Sequence, residues 1–157
     1  MDKARLRQAI IDQINVELEM QTRAALMARD EATHEESKPE NQYDMHAQEA
    51  AYLAEGQAKL AAELQASIAL YQGLALPVFS PQQPISLGAV VTLDNAGRKT
   101  RYFLGPRSGG IEVRFDGADI IVLTPQSPLG RLLVGRRVGD TVSPPGRATA
   151  QRIDAIE

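Results

Sequence analysis

Six carboxylates crowd into residues 30–44, and they are the groups of this chain with the clearest capacity for chemistry. They are Asp30, Glu31, Glu35, Glu36, Glu40 and Asp44, with Lys38 as the one basic residue among them. Carboxylate oxygens are the ligands that hard cations prefer. A cluster of this kind, held away from the body of a protein, suggests a probe that is presented to a partner. The other interpretation is a solvated, charged loop.

Two long helices are predicted on either side of this acidic stretch. Residues 2–33 contain neither Gly nor Pro and are rich in strong helix formers. One face of this first helix carries Leu6, Ile10, Ile14 and Leu18 at helical spacing, with Ala25 continuing it more weakly. Pro39 interrupts the helical pattern, which resumes over residues 43–72. The sequence therefore predicts an antiparallel coiled-coil hairpin over residues 1–75, with the carboxylates at its tip.

The second helix has its own apolar repeat. Leu53, Leu60, Leu64, Ile68 and Tyr71 are separated by steps of seven, four, four and three, as in the seam of a coiled coil. Gly56 lies in the middle of this helix, where Gly costs about 1 kcal/mol relative to Ala. We expect Gly56 to allow a close approach to the first helix.

The pattern changes to a period of two after the second helix. Residues 76–86 form a Pro-rich linker, and a small domain is predicted over residues 87–157. The predicted strands are 88–93, 99–104, 111–115, 119–123, 138–142 and 148–156, with a turn at Asp94–Gly97. Ser127 and Pro128 supply a cap and a first-turn Pro for a short helix over 129–134. The fold class is therefore α+β, with a mostly antiparallel sheet covering one short helix.

Composition narrows the classes of function. The chain of 157 residues has no Cys, which excludes disulfides and thiolate metal sites, and its 4% aromatic content argues against a base-stacking platform. No apolar run approaches the length of a membrane span, and the N-terminal residues lack the core of a signal peptide, so we expect a cytoplasmic protein. Residues 1–75 carry 7 basic and 13 acidic residues, whereas residues 76–157 carry 10 and 7. Opposite charge on the two halves suggests contacts with different surfaces of a partner.

One stretch resembles a known family. Residues 123–142 read Leu-Thr-Pro-Gln-Ser-Pro-Leu-Gly-Arg-Leu-Leu-Val-Gly-Arg-Arg-Val-Gly-Asp-Thr-Val. They resemble the C-terminal signature of the Gre family of bacterial transcript-cleavage factors, which has a Ser-Pro, a short Leu-rich helix and then Gly-Lys-Lys-Val-Gly-Asp. Residues 88–93 and 102–106 are similar to the opening strands of the same domain. The acidic stretch is similar, more weakly, to the family's Asp-x-x-Glu-Asn tip.

The resemblance implies a fold and a partner. The C-terminal half would be FKBP-like and would dock at the rim of the secondary channel of RNA polymerase, through Ser127, Pro128, Leu129 and Arg131. The coiled coil would reach down that channel, and the acidic tip would help hold a Mg²⁺ ion near the polymerase's own active site. Such an ion could activate water against backtracked RNA, because one or two added carboxylates can position a second metal.

The nuclease centre would belong to the polymerase, so the resemblance implies that this chain is not itself an enzyme and has no cofactor of its own. It would stimulate cleavage of backtracked RNA and rescue arrested elongation complexes. It would contact nascent RNA only indirectly, act as a monomer, and bind neither membranes nor specific DNA sequences.

The tip matches the family residue by residue only in part. Glu40 and Asn41 match the Glu-Asn of the family pattern, so Glu40 is the expected metal-holding residue. The family's Asp falls on Ser37, which cannot act as a carboxylate ligand. Glu36 and Asp44 are the residues that could assist Glu40 instead.

Two alternatives remain open beside a cleavage factor. One is a regulator that occupies the channel without cleaving RNA and affects initiation or pausing. The other is an interaction module that self-associates through the hairpin.

The basic residues of the second half are Arg98, Lys99, Arg101, Arg107, Arg114, Arg131, Arg136 and Arg137. Without interleaved aromatics, contacts to an acidic protein surface suit them better than a nucleic-acid patch. A FKBP-like fold also raises prolyl isomerase activity, which needs an aromatic pocket that the few aromatics of this half hardly provide.

Overall fold

The computed structural model of the chain describes residues 1–33 and 45–157. Two long helices come first, followed by a six-stranded mixed sheet and one short helix, which confirms the predicted α+β class. The described residues fall into two compact units. One comprises Met1–Gln13 with Ala69–Glu157 and is called unit 1. The other, unit 2, lies within Ile14–Ile68 and is helical throughout its described part.

The first helix, α1, runs over Lys3–Thr33, close to the predicted bounds. Asp2 precedes it and accepts a hydrogen bond at Oδ1 from the Arg5 backbone N–H at 3.1 Å, as a helix N-cap does. Leu6, Ile10 and Ile14 are all fully buried, so the apolar face predicted for this helix is confirmed. The rest of that face, Leu18 and Ala25, is half-buried.

The second helix, α2, runs over Met45–Gln72, and part of its predicted seam is wrong. Leu53 and Leu60 are 54% and 44% exposed. Apart from the buried Ser67, the buried or half-buried side chains described in α2 recur instead at Ala50, Ala54, Gln57, Ala61, Leu64, Ile68 and Tyr71. This is a heptad repeat in which small residues replace leucines, so a search for large apolar side chains picks the wrong face.

The expected role of Gly56 is also wrong. A Cβ atom built on Gly56 would have no other atom within 4 Å, so no neighbouring element requires a glycine there. A close approach between two helices would leave such a Cβ atom in contact with the partner helix. Gly56 therefore lies on an open side of α2.

The sheet contains six strands in the order β3-β4-β2-β1-β6-β5. The strands are β1 (Val90–Asn95), β2 (Arg98–Leu104), β3 (Glu112–Phe115), β4 (Ala118–Leu123), β5 (Thr141–Val142) and β6 (Gln151–Ile156). The pair β2–β4 is parallel and the other pairs are antiparallel. The predicted strand over 138–142 shortens to two residues because Gly139, at φ +93°, belongs to a turn. The short helix, α3, spans Pro128–Leu133.

Two-residue turns set the register of both hairpins of the sheet. Ala96 and Gly97 adopt positive φ between β1 and β2, and the Asp94 carboxylate accepts a hydrogen bond from Gly97 N–H at 2.7 Å. Asp116 and Gly117 also adopt positive φ, between β3 and β4. Positive φ at both central residues gives a turn whose twist matches that of the strands. The turn predicted at Asp94–Gly97 is confirmed.

Both faces of the sheet are covered within unit 1. On one face, α3 buries Leu133 in a core with Tyr102, Leu104 and Ile153. On the other face lies Phe103, which is fully buried and whose ring centroid is 6.4 Å from that of Tyr71. Tyr71 belongs to the last turn of α2, so the second face receives a helix that the sequence did not assign to it.

The start of α1 lies on this second face as well. The guanidinium of Arg5 stacks over the Phe115 ring at 5.5 Å. Lys3 donates hydrogen bonds from Nζ to the carbonyl oxygens of Pro77 and Gly88, and its ammonium lies 4.8 Å from the ring centroid of Phe79. Burial lowers the pKa of Lys3, and the nearby charge of Glu157 acts in the opposite direction. One lysine therefore ties α1 to the linker and to the residues just before β1.

Candidate docking site on the short helix

The predicted site residues separate into two groups. Glu36, Glu40 and Asp44, together with Ser37, lie outside the described residues, so their predicted roles in metal binding stay predictions. Within 1–33 and 45–157, His, Asp and Glu residues form no group of three or more that could hold a metal ion. The second group, Ser127, Pro128, Leu129 and Arg131, is described in full and lies at the start of α3.

Ser127 caps α3, as predicted. Its backbone is extended at φ −65° and ψ 156°, and its Oγ accepts a hydrogen bond from Gly130 N–H at 3.0 Å. The same hydroxyl donates to the Thr124 carbonyl at 2.7 Å. Pro128 follows at the first helical position, where its missing N–H leaves no backbone hydrogen bond unmade. The Ser127 side chain is therefore used for structure on both its donor and its acceptor side.

Gly130 lets α3 lie directly against the preceding loop. A Cβ atom at this position would collide with the carbonyl oxygen of Thr124 and would come within 2.8 Å of Ser127 Oγ. Because the main obstacle is backbone rather than a flexible side chain, any larger residue would force the loop and the helix apart. The lack of space for a side chain therefore explains why Gly stands at the end of the Ser-Pro-Leu-Gly sequence.

The leucines of α3 face the sheet. Leu133 is fully buried, while Leu129 and Leu132 are half-buried and pack against the same core. Leu129 was predicted to contact a partner; it packs against the core with part of its side chain, and the contact stays a prediction. What α3 presents outward is different: Pro128 and Arg131 are exposed and lie three residues apart, on one side of the helix.

Val134 extends this outward side by another three residues. It is 45% exposed although it is a large apolar side chain directly after a buried leucine. We call Pro128, Arg131 and Val134 the docking face. Sequence reasoning missed Val134, although the spacing of three from Arg131 and the pair Leu132-Leu133 already facing inward were available as a signal.

The loop after α3 is held by its own hydrogen bonds. Gly135, at φ +81°, ends the helix and donates from its N–H to the Ile85 carbonyl at 2.9 Å. The Asp140 carboxylate accepts from the Arg137 N–H at 2.9 Å, across a turn in which Gly139 has φ +93°. Arg137 also donates from Nε to the Gln82 carbonyl at 2.8 Å. The Gly-Arg-Arg-Val-Gly-Asp sequence is thereby explained as a structured turn.

Several of the basic residues named above are engaged in local ion pairs. Lys99 Nζ lies 2.7 Å from Asp154 Oδ2, and Arg114 Nη1 lies 2.9 Å from Asp119 Oδ1. The hydrogen bond to Asp154 raises the pKa of Lys99, and the same bond lowers the pKa of Asp154. These paired cations are poor candidates for contacts with an acidic partner, whereas Arg131 forms no ion pair with any residue in the described ranges.

None of the helices within the described ranges combines the length and the apolar character that a membrane span needs.

Comparisons with known proteins give one kind of match. No protein-family model matches the chain. No curated protein matches it either. Among solved structures, the chain is similar to the GreA factor homolog 1 (Gfh1) protein of Thermus thermophilus, with 22% identity, a TM-score of 0.38 and 94% of each chain covered.

A structure of the transcription factor Gfh1 has 18% identity, a TM-score of 0.38, and 94% of this chain and 93% of that chain covered. Gfh1 of Thermus aquaticus has 20% identity, a TM-score of 0.37, and 95% and 94% covered. What these matches establish is that the chain is similar, over 94% of its length, to solved structures of a GreA factor homolog.

Proposed function

We propose that this chain is a transcription factor of the Gre type, which binds RNA polymerase in its secondary channel and is not itself an enzyme. The C-terminal half docks at the rim of the channel through the docking face. The helices carry the acidic tip towards the catalytic Mg²⁺ of the polymerase. There, Glu40 stimulates the polymerase's own cleavage of backtracked RNA, assisted by Glu36 or Asp44.

The observation that carries this proposal is that residues 123–142 include both residues that the fold requires and residues that are exposed without a bonding partner in the described part of the chain. Gly130, Gly135, Gly139 and Asp140 each have a steric or hydrogen-bonding role in the fold. The side chains of Pro128 and Arg131 form no hydrogen bond or ion pair with the described residues and are exposed on one side of α3. The docking face combines the apolar ring of Pro128, the cation of Arg131 and the apolar side chain of Val134. This combination suits a contact with a protein surface that has an acidic rim.

The dimensions of the helices support the second half of the proposal. The 31 residues of α1 correspond to about 47 Å of helix at 1.5 Å per residue. A helix of this length is far longer than is needed to cover one face of the small sheet. The four carboxylates that follow its C-terminal end in the sequence, up to Asp44, are of the residue type that Mg²⁺ accepts as ligands.

Cleavage of RNA in a stalled elongation complex, measured with and without the chain across a range of Mg²⁺ concentrations, tests the role of the tip. Stimulation is expected with the wild-type chain and is expected to disappear with Glu40→Ala. Glu63→Ala, which removes an exposed carboxylate from the middle of α2, is the matched control and should retain it. Equal stimulation by Glu40→Ala and wild type would remove Glu40 from the proposal.

Binding to polymerase without any measurement of cleavage tests the docking face. Arg131→Glu and Val134→Ser should weaken binding, because each changes an exposed contact and leaves the buried leucines in place. Arg107→Glu makes the same charge change as Arg131→Glu at another exposed position and should bind as wild type does. Weakening of equal size by Arg107→Glu would point to overall charge instead of a docking site.

One sequence feature favours a second candidate, a regulator that occupies the channel without cleaving. Ser37 stands where the family has an Asp, so the tip has one carboxylate fewer at the matched position. The cleavage assay above separates the two candidates. Binding to polymerase with an effect on initiation or pausing and no stimulated cleavage supports the regulator, and Ser37→Asp should then introduce cleavage.

The exposed leucines of α2 bear on a third candidate, self-association through the helices. Leu53 and Leu60 lie seven residues apart on one side of α2 and are both largely exposed. Sedimentation of the isolated chain tests whether they meet a second copy. A stable dimer that is lost in the double variant Leu53→Gln/Leu60→Gln supports self-association, whereas a monomer supports the channel-binding proposal.

A further inference from the structure

A polar cavity of about 230 Å³ lies in unit 1, away from the docking face residues. Its walls come from the end of β1, from β2, and from the start of β6 with the loop before it. The polar residues that line it are Asn95, Arg98, Thr100, Tyr102, Arg147 and Gln151. One apolar residue, Ile121 of β4, completes the wall. Sequence reasoning placed Arg98 among dispersed surface cations and did not consider Arg147.

The lining is rich in hydrogen-bond donors and contains no carboxylate. Arg98 and Arg147 bring two guanidinium groups, Thr100 and Tyr102 bring hydroxyls, and Gln151 brings an amide. Neither arginine is in an ion pair with any residue of the described ranges, in contrast to Arg114. Two uncompensated guanidiniums at one cavity create a positive potential that favours an anion.

Two of these polar side chains are almost completely buried. Tyr102 is 8% exposed and Gln151 is 3% exposed. Within the described part of the chain, no hydrogen bond is formed by the phenol of Tyr102 or by the side-chain amide of Gln151. The side-chain oxygens that are shielded from solvent without a partner in the described part of the chain are those of Gln21 and Gln57, so the polar atoms of Tyr102 and Gln151 still reach the solvent of the cavity. They are therefore free to bond to something that enters it.

The wall that carries Arg147 is anchored. Thr149 Oγ1 donates to Asn95 Oδ1 at 3.2 Å, which joins the loop before β6 to the turn between β1 and β2. The loop is also closed on itself, because Arg147 N–H donates to the Pro144 carbonyl at 3.2 Å next to Gly146 at φ +76°. Little ordering of the backbone is needed for an anion to bind.

We propose that this cavity binds a phosphate dianion, either free inorganic phosphate or the terminal group of a small phosphate monoester. Guanidinium groups bind phosphate oxygens through pairs of parallel hydrogen bonds. Two guanidiniums, two hydroxyls and an amide offer more donors than the two oxygens of a carboxylate can use, and they suit the several oxygens of a phosphate better. The polar lining also argues against a proline-binding pocket, because a proline ring needs apolar walls. The proposal does not depend on the function proposed above.

Titration calorimetry at low ionic strength tests it, with inorganic phosphate and phosphoserine as the two phosphate probes and a short acidic peptide as a third arm. Saturable binding of one phosphate per chain is expected. Arg98→Gln and Arg147→Gln should each weaken it about tenfold, which corresponds to about 1.4 kcal/mol. Tyr102→Phe should weaken it by a smaller factor, since it removes one neutral hydroxyl. Arg107→Gln makes the same charge change at an exposed position outside the cavity and should leave binding unchanged.

The two phosphate probes distinguish the source of the group. Equal affinity for both supports a site for the free ion, and tighter binding of phosphoserine supports a site for a phosphorylated small molecule. Three results would overturn the proposal. They are the absence of saturable phosphate binding up to about 10 mM, equal weakening by Arg107→Gln, and tighter binding of the acidic peptide than of either phosphate with the same dependence on the two arginines.

Discussion

Tyr71 donates its hydroxyl proton to the backbone carbonyl of Arg107 at 2.7 Å, which fastens the last turn of α2 to the loop that follows β2. The ring of Tyr71 is fully buried and packs beside Phe103. Burial of the phenol raises the pKa of Tyr71 well above its usual range, so the hydroxyl stays protonated and able to donate. A single side chain thus joins helix, sheet and loop in unit 1.

Tyr71→Phe should lower the free energy of unfolding by about 1 kcal/mol, because it removes one hydrogen bond and keeps the ring. Tyr71→Ala should lower it by about 3–5 kcal/mol, since a cavity then replaces a fully buried ring. Urea denaturation measures both. Tyr52→Phe, in the same helix but 73% exposed, is the control and should be neutral. A neutral Tyr71→Phe would mean that the bond to Arg107 contributes nothing to stability.

The cap of α3 can be separated from the docking face by mutation. Ser127→Ala should reduce stability by about 1 kcal/mol, because Gly130 N–H loses its acceptor. Gly130→Ala should reduce stability by more, about 1–3 kcal/mol, because its Cβ atom collides with the Thr124 carbonyl. Thermal unfolding gives both values. Pro128→Ala, at an exposed neighbouring position, should change stability least of the three, and the opposite order would contradict the packing described for α3.

Two glutamines of unit 2 bury side-chain oxygens without a partner. Oε1 of Gln21 in α1 and Oε1 of Gln57 in α2 are shielded from solvent and accept no hydrogen bond within the described part of the chain. An unsatisfied buried acceptor costs about 1–3 kcal/mol. The double variant Gln21→Leu/Gln57→Leu should therefore raise the free energy of unfolding, and hydrogen exchange of the amides around both positions should slow.

Gln65→Leu is the control for this pair, because Gln65 lies in α2 on its exposed side. It should leave hydrogen exchange near wild-type rates. If the double variant exchanges as fast as wild type, the two oxygens are satisfied in solution and the helices are not weakened there.

Lys3 predicts a particular dependence of stability on pH. Burial lowers its pKa in the folded chain below the ordinary value of 10.5, so the folded chain releases this proton first. Between the two pKa values the unfolded chain binds more protons, and the free energy of unfolding must rise with pH through that interval. Below the folded pKa, the cost of burying the ammonium is present in full.

A comparison of the wild type with Lys3→Met isolates this effect. Tyr71, whose raised pKa changes stability in the opposite direction above pH 10, is present in both proteins and drops out of the difference. Denaturation across alkaline pH should show stability of the wild type rising relative to Lys3→Met and levelling off near the ordinary lysine pKa. A difference that stays constant with pH would contradict the lowered pKa of Lys3.

Local patterns along the chain were sufficient for the helices, the turns and the α3 cap. The absence of Gly and Pro predicts the extent of α1. The turn at Gly97 was predictable because a tight turn needs a residue that adopts positive φ easily. The Ser-Pro pair likewise predicts the start of α3 correctly, because all of these depend on neighbours in sequence. The roles proposed for Glu40, Glu36 and Asp44 stay predictions, since these residues lie outside the described ranges.

The burial of individual residues on α2 did not follow from such patterns. Leu53 and Leu60 look like seam residues, whereas the buried side of this part of α2 is occupied by Ala50 and by the half-buried Ala54, Gln57 and Ala61. Which side of a helix is buried depends on the surface it meets, and small side chains let that surface come close. Hydrophobicity alone cannot rank an alanine above a leucine.

What the sequence by itself determined is the order and type of the elements, because helix propensity, turn chemistry and capping act over a few residues. The tertiary structure alone decided which distant residues meet: Tyr71 with Arg107, Lys3 with Pro77 and Gly88, and Arg98 with Arg147 at one cavity. The two residues of each hydrogen-bonded pair lie 36 to 85 positions apart in the sequence, and no periodic pattern relates them. Their proximity results from the strand order β3-β4-β2-β1-β6-β5 and from helix ends that return to the sheet.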